Sequence, residues 1–499
     1  MSVSWLSAIF FLPGLGALGL AVLPGEIDHR LARLWALVVA GLTFALSILV
    51  ALRFDFTSAQ QQFVESASWL PQLGISYSLG VDGLSLPLVL LNGLLVVLSI
   101  LTSWQLSKRP RLYYVLVMLL MCGVNGAFMS RDAILFFLSY ELELIPLYFL
   151  ISIWGGKRRE YAGTKFLLYT FLSGIALLVA FLSTYYFSGT GSFSLDVLAK
   201  PQTPYPLVFQ FIALGLITFG FGIKMPLVPL HTWLPDAHVE APTAVSVLLA
   251  GILLKLGTYG IVRFGLGLFP EAAVQFAWLL SVLAAINVIY ASLAAMAQTD
   301  MKKMVAYSSI AHMGYVVLGI ASLNVIGLGG AMFQMVSHGI ISGLLFMLVG
   351  LVYDKAGTRE LPKLGGLFAT LPVVGAFLVG AGMANAGMPG MSGFVAEFLV
   401  FRGGIERFPV ATVLCIFGIV LTAAYILAML ARAFFGKLPK TLEAMPHVTF
   451  FDMVPATVLL IIMVGLGLFP NIMTTIVQPS VTALVEQVQT GSAVAQLPR

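Results

Sequence analysis

What constrains this chain most is the recurrence of apolar runs about as long as a bilayer is thick. Between breaks made of charged residues or of Pro and Gly, fourteen such runs can be read: residues 3–23, 31–52, 84–104, 111–129, 132–154, 165–187, 207–233, 243–264, 274–297, 304–323, 325–352, 370–401, 409–434 and 452–474. A hydrocarbon core takes about 20 apolar residues per helical crossing. The expected fold is therefore an all-α polytopic membrane protein with about 14 transmembrane helices. Of its 499 residues 60% are hydrophobic and only 9% charged, against roughly a quarter charged in soluble domains, which excludes a soluble enzyme. Residues 54–80 and the tail after 475 mix polar with apolar residues and read as surface segments; no separate soluble domain is expected.

Charge placement sets the orientation. With the N-terminus outside, the odd-numbered loops hold 17 of the 26 Lys and Arg and the opposite side 7, the bias that marks cytoplasmic loops. The first run starts within three residues of Met1 with no Lys or Arg ahead of it. It lacks the basic region of a secretory signal and is expected to be a retained helix.

Some chemistry is excluded early. Gly14, Gly16 and Gly19 spell G-x-G-x-x-G, but no strand precedes them, so they read as sites of close helix packing and not as a nucleotide-binding turn. Cys122 and Cys415 lie in different runs, which leaves no ligand set for a disulfide framework, a zinc site or a cysteine-bound iron–sulfur cluster. No metal and no cofactor are expected on this chain. Nothing resembles a nucleophile triad, a phosphate loop or a nucleic-acid surface.

Five ionisable groups fall deep in the runs: Glu141 and Glu143 in the fifth, Lys224 in the seventh, Lys255 in the eighth and Glu397 in the twelfth. Each costs about 3 kcal/mol at mid-bilayer by insertion scales unless paired or hydrated. Five of them over four helices point to ion movement more than to packing. Glu141 and Glu143 are two apart, about 200° around a helix, so one is central and the other secondary.

Lys224 sits in GFGIKMPLVPLHTWLPDAH, where Pro226 and Pro229 each remove a donor, and Glu397 in MANAGMPGMSGFVAE with Pro389 and three glycines. Both spans, the seventh and the twelfth, are therefore expected to be broken helices, their freed backbone groups buried against polar side chains or water. Interrupted helices at corresponding places are the sign of inverted repeats around a mid-membrane ion site. Five-helix repeats over spans 4–8 and 9–13 match the seventh with the twelfth, giving segments 1–110, 111–264, 265–434 and 435–499. His312 and His338, with Tyr307, Ser308, Ser309, Gln334 and Ser337, fall between Lys255 and Glu397 in chain order. They form a candidate hydrated relay, since histidine passes protons near neutral pH.

Four stretches, YELELIPLYFLISIWGG, HTWLPDAHVEAPTAVSVLLAGILLKLGTYG, MKKMVAYSSIAHMGY and MPGMSGFVAEF, resemble the antiporter-like proton-pumping chains of complex I, of the NuoM/NdhD type, over spans three to fourteen. The resemblance implies fourteen core helices, inverted five-helix repeats and a central axis of protonatable residues. By motif it implies that Glu141 pairs with Lys224, that Lys255 is the central relay lysine, that Glu397 is the terminal residue and that His312 and His338 lie between, with Glu143 secondary. Glu143 departs from many bacterial members but resembles the ELELIP run of photosynthetic ones, which favours a cyanobacterial thylakoid membrane over a bacterial plasma membrane.

The implied function is that of a proton-translocating, non-redox membrane-arm subunit of an NDH-1 type NAD(P)H or ferredoxin:quinone (plastoquinone) oxidoreductase. Quinone, iron–sulfur clusters and any nucleotide or ferredoxin site are then expected on other subunits. The implied partners are sister antiporter-like chains, the lipid bilayer and a CO2-hydrating accessory subunit. The alternatives within the family are a subunit of an Mrp-type Na+/H+ antiporter or of a membrane-bound hydrogenase. The expected mechanism is electrostatic: an ionised carboxylate within about 4 to 6 Å holds the Lys224 ammonium protonated, and separating the two releases the proton through water to Lys255, past the histidines and on to Glu397.

Overall fold

The computed structural model of the chain describes residues 4–25 and 28–495, with side chains described to residue 490. In chain order the elements are α1 (Trp5–Val22), α2 (His29–Leu52), a hairpin of β1 (Gln62–Leu70) and β2 (Ile75–Val81), α3 (Leu86–Thr102), α4 (Pro110–Met129), α5 (Ala133–Leu142), α6 (Leu144–Trp154), α7 (Arg159–Ser188), α8 (Leu195–Leu198), α9 (Leu207–Lys224) and α10 (Trp233–Glu240). There follow α11 (Thr243–Leu248), α12 (Leu254–Gly260), α13 (Pro270–Met296), α14 (Met301–Ser322), α15 (Val325–Ala356), α16 (Pro372–Asn385), α17 (Ser392–Ile405), α18 (Pro409–Phe434), α19 (Phe450–Leu468) and α20 (Asn471–Ala495). Among the described residues twelve helices are long and apolar enough to cross a membrane, and α3 and α16 are shorter apolar helices. The sequence count of fourteen differs at the third and twelfth runs. There the helices reach only 17 residues in α3 and 14 in each of α16 and α17, short of about 20 for a perpendicular crossing.

By internal contacts the chain forms two units, one drawn from Met1–Met225, Ile252–Ala277 and Thr475–Arg499, the other from Pro226–Gly251 and Trp278–Thr474. In the first unit the early glycines do pack helices: a Cβ on Gly16 would press into Val39 of α2, and one on Gly14 would touch Cys122 Sγ of α4 at 3.2 Å. The stretch expected to be a plain surface segment holds the antiparallel hairpin. Its second strand alternates Ile75, Tyr77, Leu79 and Val81 at the period of two that builds a strand, and Gly74 turns the chain at φ +71°, where a Cβ is disfavoured. Asp132 anchors the hairpin to α5. Its carboxylate accepts from Ser76 N–H at 2.9 Å and from the first-turn amides of Ile134 and Leu135, the N-cap geometry that completes a helix start.

The tail is also more regular than expected. α20 lies against the hairpin exit, where Ser480 Oγ accepts from Gly83 N–H at 3.0 Å, and Gln487 donates to the Gly267 carbonyl at 2.9 Å.

In the second unit the helix starts are written in side chains. Asp300 accepts from the amides of Lys302 and Lys303, Asn324 from Gly327, and Thr449 with Asp452 forms a reciprocal cap. Gly357 ends α15 at φ +67°.

Candidate functional site

The first unit gathers charge where α5, α6, α7 and α9 meet. Pro146 removes a donor from the fifth span, which divides at Glu143 into α5 and α6. The Lys224 ammonium, on the last turn of α9, pairs directly with the Glu143 carboxylate. The lysine is 2% exposed and the glutamate 0%. Tyr140 and Phe166 wall the ammonium, their ring centres 4.9 and 5.8 Å from Nζ, close enough for cation–π attraction. The Tyr140 hydroxyl lies 2.9 Å from Ser173 Oγ, which donates to the Gly220 carbonyl at 2.7 Å, so α7 buttresses both helices.

This corrects the expected Glu141–Lys224 contact. Glu141 and Glu143 do face different directions, as their spacing requires, but it is Glu143 that reaches the lysine. The Glu141 carboxylate lies over Gly174 of α7, where a Cβ would collide with it, and stands outside the Lys224–Glu143 ion pair.

Lys255 is fully buried on α12, a short α-helical piece between two wider, π-helical turns, Leu249–Leu253 and Ile261–Leu266. Such turns are often found at functional sites. Gly257 lets α12 touch the end of α9: a Cβ there would lie 2.7 Å from the Phe221 carbonyl and 2.8 Å from the Met225 amide. Farther along, Arg263 donates to Asp82 at 2.6 Å and to the Tyr259 hydroxyl at 3.1 Å, while Gln61 donates to the same Asp82 oxygen at 2.7 Å. The second π turn is thereby tied to the end of β2.

The second unit brings His312, His338 and Glu397 together. His312 Nδ1 stands 3.2 Å from Glu397 Oε1 and 3.2 Å from Gln334 Nε2, and the two imidazole centres are 5.6 Å apart. All four side chains are buried. Ser337 donates to Ser392 at 2.8 Å, joining α15 to the start of α17. Ser309, expected in the same polar row, instead donates back to the Val305 carbonyl at 3.2 Å, as serine commonly does inside a helix. Tyr307 lies beside His231, 6.3 Å between ring centres.

Both expected breaks are present, α9 from α10 and α16 from α17. Their burial is partial, which corrects the expectation: Pro229, Met388 and Pro389 are exposed at the turn tips. A proline has no N–H to hide, so the tip tolerates exposure better than the groups behind it. Those groups are met. Asn287, in α13, accepts from Val228 N–H at 2.7 Å and donates to the Pro226 carbonyl at 3.4 Å, and Met388 N–H closes onto the Met383 carbonyl at 3.0 Å. Sequence reasoning missed Asn287. The available signal was an amide inside the apolar run AAINVIYASL, where a polar side chain needs a partner.

The sequence and the fold have known relatives. Residues 130–422 match the family model described as NADH:quinone oxidoreductase/Mrp antiporter, TM. The chain is 43% identical to NAD(P)H-quinone oxidoreductase chain 4 2 of Thermosynechococcus vestitus, covering 99% of this chain and 94% of that one. It is 44% identical to NAD(P)H-quinone oxidoreductase chain 4 1 of Synechococcus elongatus, over 99% and 93%. Among solved structures it superposes on a chain of respiratory complex I from Thermus thermophilus with a TM-score of 0.88 at 28% identity, covering 97% of this chain and 99% of that one. On a chain of the Mrp complex from Dietzia the TM-score is 0.87 at 22% identity, covering 99% of this chain and all of the other, a likeness of fold alone. With twelve helices among the described residues long and apolar enough to cross a membrane and the family match over residues 130–422, this chain is an integral, multi-pass membrane protein and belongs to the NADH:quinone oxidoreductase/Mrp antiporter transmembrane family.

Proposed function

We propose that the chain is a proton-translocating membrane-arm subunit of an NDH-1 type NAD(P)H–quinone oxidoreductase, working beside sister chains of the same fold. The observation that carries this reading is the buried Lys224–Glu143 ion pair at the broken end of α9, in a chain more than 40% identical to cyanobacterial chain 4 proteins over nearly its whole length. An ion pair held out of water has two states of very different energy, joined and separated, because the attraction is weakly screened there. Joined, Glu143 favours the ammonium form of Lys224. Separated, the lysine gives up its proton more readily. A change of charge that moves Glu143, α6 or the last turn of α9 therefore becomes a proton released or taken up.

Lys255 in the first unit and the His312–Glu397 pair in the second offer the same chemistry, a proton whose position depends on the charge beside it. His338, centred 5.6 Å from His312, extends that pair. Glu141, close by and not in contact, modulates Lys224. Redox chemistry belongs to other subunits, where quinone, iron–sulfur clusters and any nucleotide or ferredoxin site are placed. The cyanobacterial relatives support a thylakoid membrane.

The test is proton uptake into vesicles per electron transferred, with assembly checked on native gels. Lys224→Ala should assemble and lose part of that ratio. An unchanged ratio would mean that the ion pair is structural. The Mrp-type antiporter reading predicts instead that the chain purifies without a redox arm.

A further inference from the structure

We propose that Asn287 is a positioning residue for proton translocation, holding the unwound stretch after α9 in fixed relation to the helix that carries His312. This rests on the proton-translocating reading above. The Asn287 side chain is fully buried and makes three hydrogen bonds with one carboxamide. Its Oδ1 accepts from Val228 N–H at 2.7 Å, and its Nδ2 donates to the Pro226 carbonyl at 3.4 Å and to the Ile310 carbonyl at 2.9 Å. The first two partners belong to the stretch between α9 and α10, which has no helical ladder of its own. The third lies on α14, two residues before His312.

The strut is short because the two helices that frame it touch. At Gly314 a Cβ would lie 2.9 Å from the Ala284 carbonyl and 3.1 Å from Asn287 Cβ, so α13 and α14 meet almost backbone to backbone. A longer side chain is not needed to span the gap, and an apolar one of the same size could fill the space without bonding either backbone. The break between α16 and α17 has a different solution, the Met388 N–H closing onto Met383 within its own turn. Asn287 is thus an addition specific to one break. It makes the position of Pro226–Val228 depend on α14, so that a shift in either is felt by the other through a rigid link.

The experiment compares Asn287→Leu and Asn287→Asp with wild type and Lys224→Ala in the assembled complex, reading electron transfer and proton uptake per electron separately. Leucine removes all three bonds. Aspartate keeps the acceptor for Val228 and loses both donations when ionised. The expected result is normal assembly and electron transfer, with a fall in the proton-to-electron ratio for Asn287→Leu comparable to that of Lys224→Ala and a smaller one for Asn287→Asp. A merely structural residue would lower proton uptake and electron transfer together with the amount of complex and leave the ratio alone. A wild-type ratio in Asn287→Leu overturns the proposal; if leucine prevents assembly, Asn287→Asp decides, and failure of both to assemble overturns it as well. If Lys224→Ala also pumps normally, the translocation reading itself falls, whereas a loss in Lys224→Ala alone removes only the role of Asn287.

Discussion

Replacing Glu143 by glutamine keeps the shape of the side chain and removes the charge that the Lys224 ammonium touches. Lysine and carboxylate are both essentially out of solvent, so the change leaves an uncompensated buried charge, an effect of about 3–5 kcal/mol for buried pairs. At about 1.4 kcal/mol per factor of ten, that is roughly two to three and a half orders of magnitude in the balance between protonated and neutral lysine. The aromatic walls do not make up the difference, since Tyr140 and Phe166 flank Nζ with or without Glu143 and such contacts are worth about 0.5–2 kcal/mol. Glu141→Gln removes a charge that lies outside the ion pair, so its effect should be smaller. The assay is proton uptake into sealed vesicles per electron transferred, normalised to assembled complex on native gels. Glu143→Gln should lose most of this chain's share of pumping, and Glu141→Gln should retain part of it. The reverse order, with Glu143→Gln pumping normally, would refute the reasoning and make the observed contact a packing pair.

Further outcomes follow from other contacts. Glu397→Gln, which removes the charge beside His312, should lower the same ratio without impairing assembly; an unchanged ratio would assign Glu397 to packing. Gly257→Ala should destabilise the complex by about 1–3 kcal/mol, because its Cβ meets backbone atoms of Phe221 and Met225. Gly215→Ala, which meets nothing within 4 Å, should be neutral or stabilising by up to about 1 kcal/mol; thermal melts of the purified complex compare the two. Asp82→Asn weakens the bond to Arg263 and should cost about 1–3 kcal/mol, read in the same melts.

The fold was legible wherever lipid imposes a rule. Span ends were readable because the hydrocarbon core sets helix length, and the break after Lys224 because Pro226 and Pro229 cannot donate. What escaped depended on local geometry that composition does not carry. The spacing of Glu141 and Glu143 shows that only one can face Lys224, yet a difference of two residues does not say which. The hairpin was hidden by its serines and glutamate, although Ile75, Tyr77, Leu79 and Val81 alternate as a strand does. Asn287 was a single polar letter in an apolar run, and its partners are backbone groups about 20 to 60 residues away in the chain, which no short-range pattern can reveal.

The wide turns on either side of Lys255 have a consequence for how the helix can change by insertion and deletion. Each ordinary residue turns a helix by about 100° and advances it by about 1.5 Å, whereas a π turn stores an extra residue without adding a full step of rotation. Deleting one residue from Leu249–Leu253 would convert that turn to an α turn and leave the helix on either side in nearly its present direction, whereas deleting one from the α-helical piece that carries Lys255 would swing everything on one side of it by about 100° relative to the other. The first deletion should therefore leave the complex formed on native gels and still pumping, and the second should lose pumping. A face drawn on a helical wheel straight through Lys255 is accordingly out of phase beyond Leu249, and the side chains sharing its direction are found only by counting the stored residues.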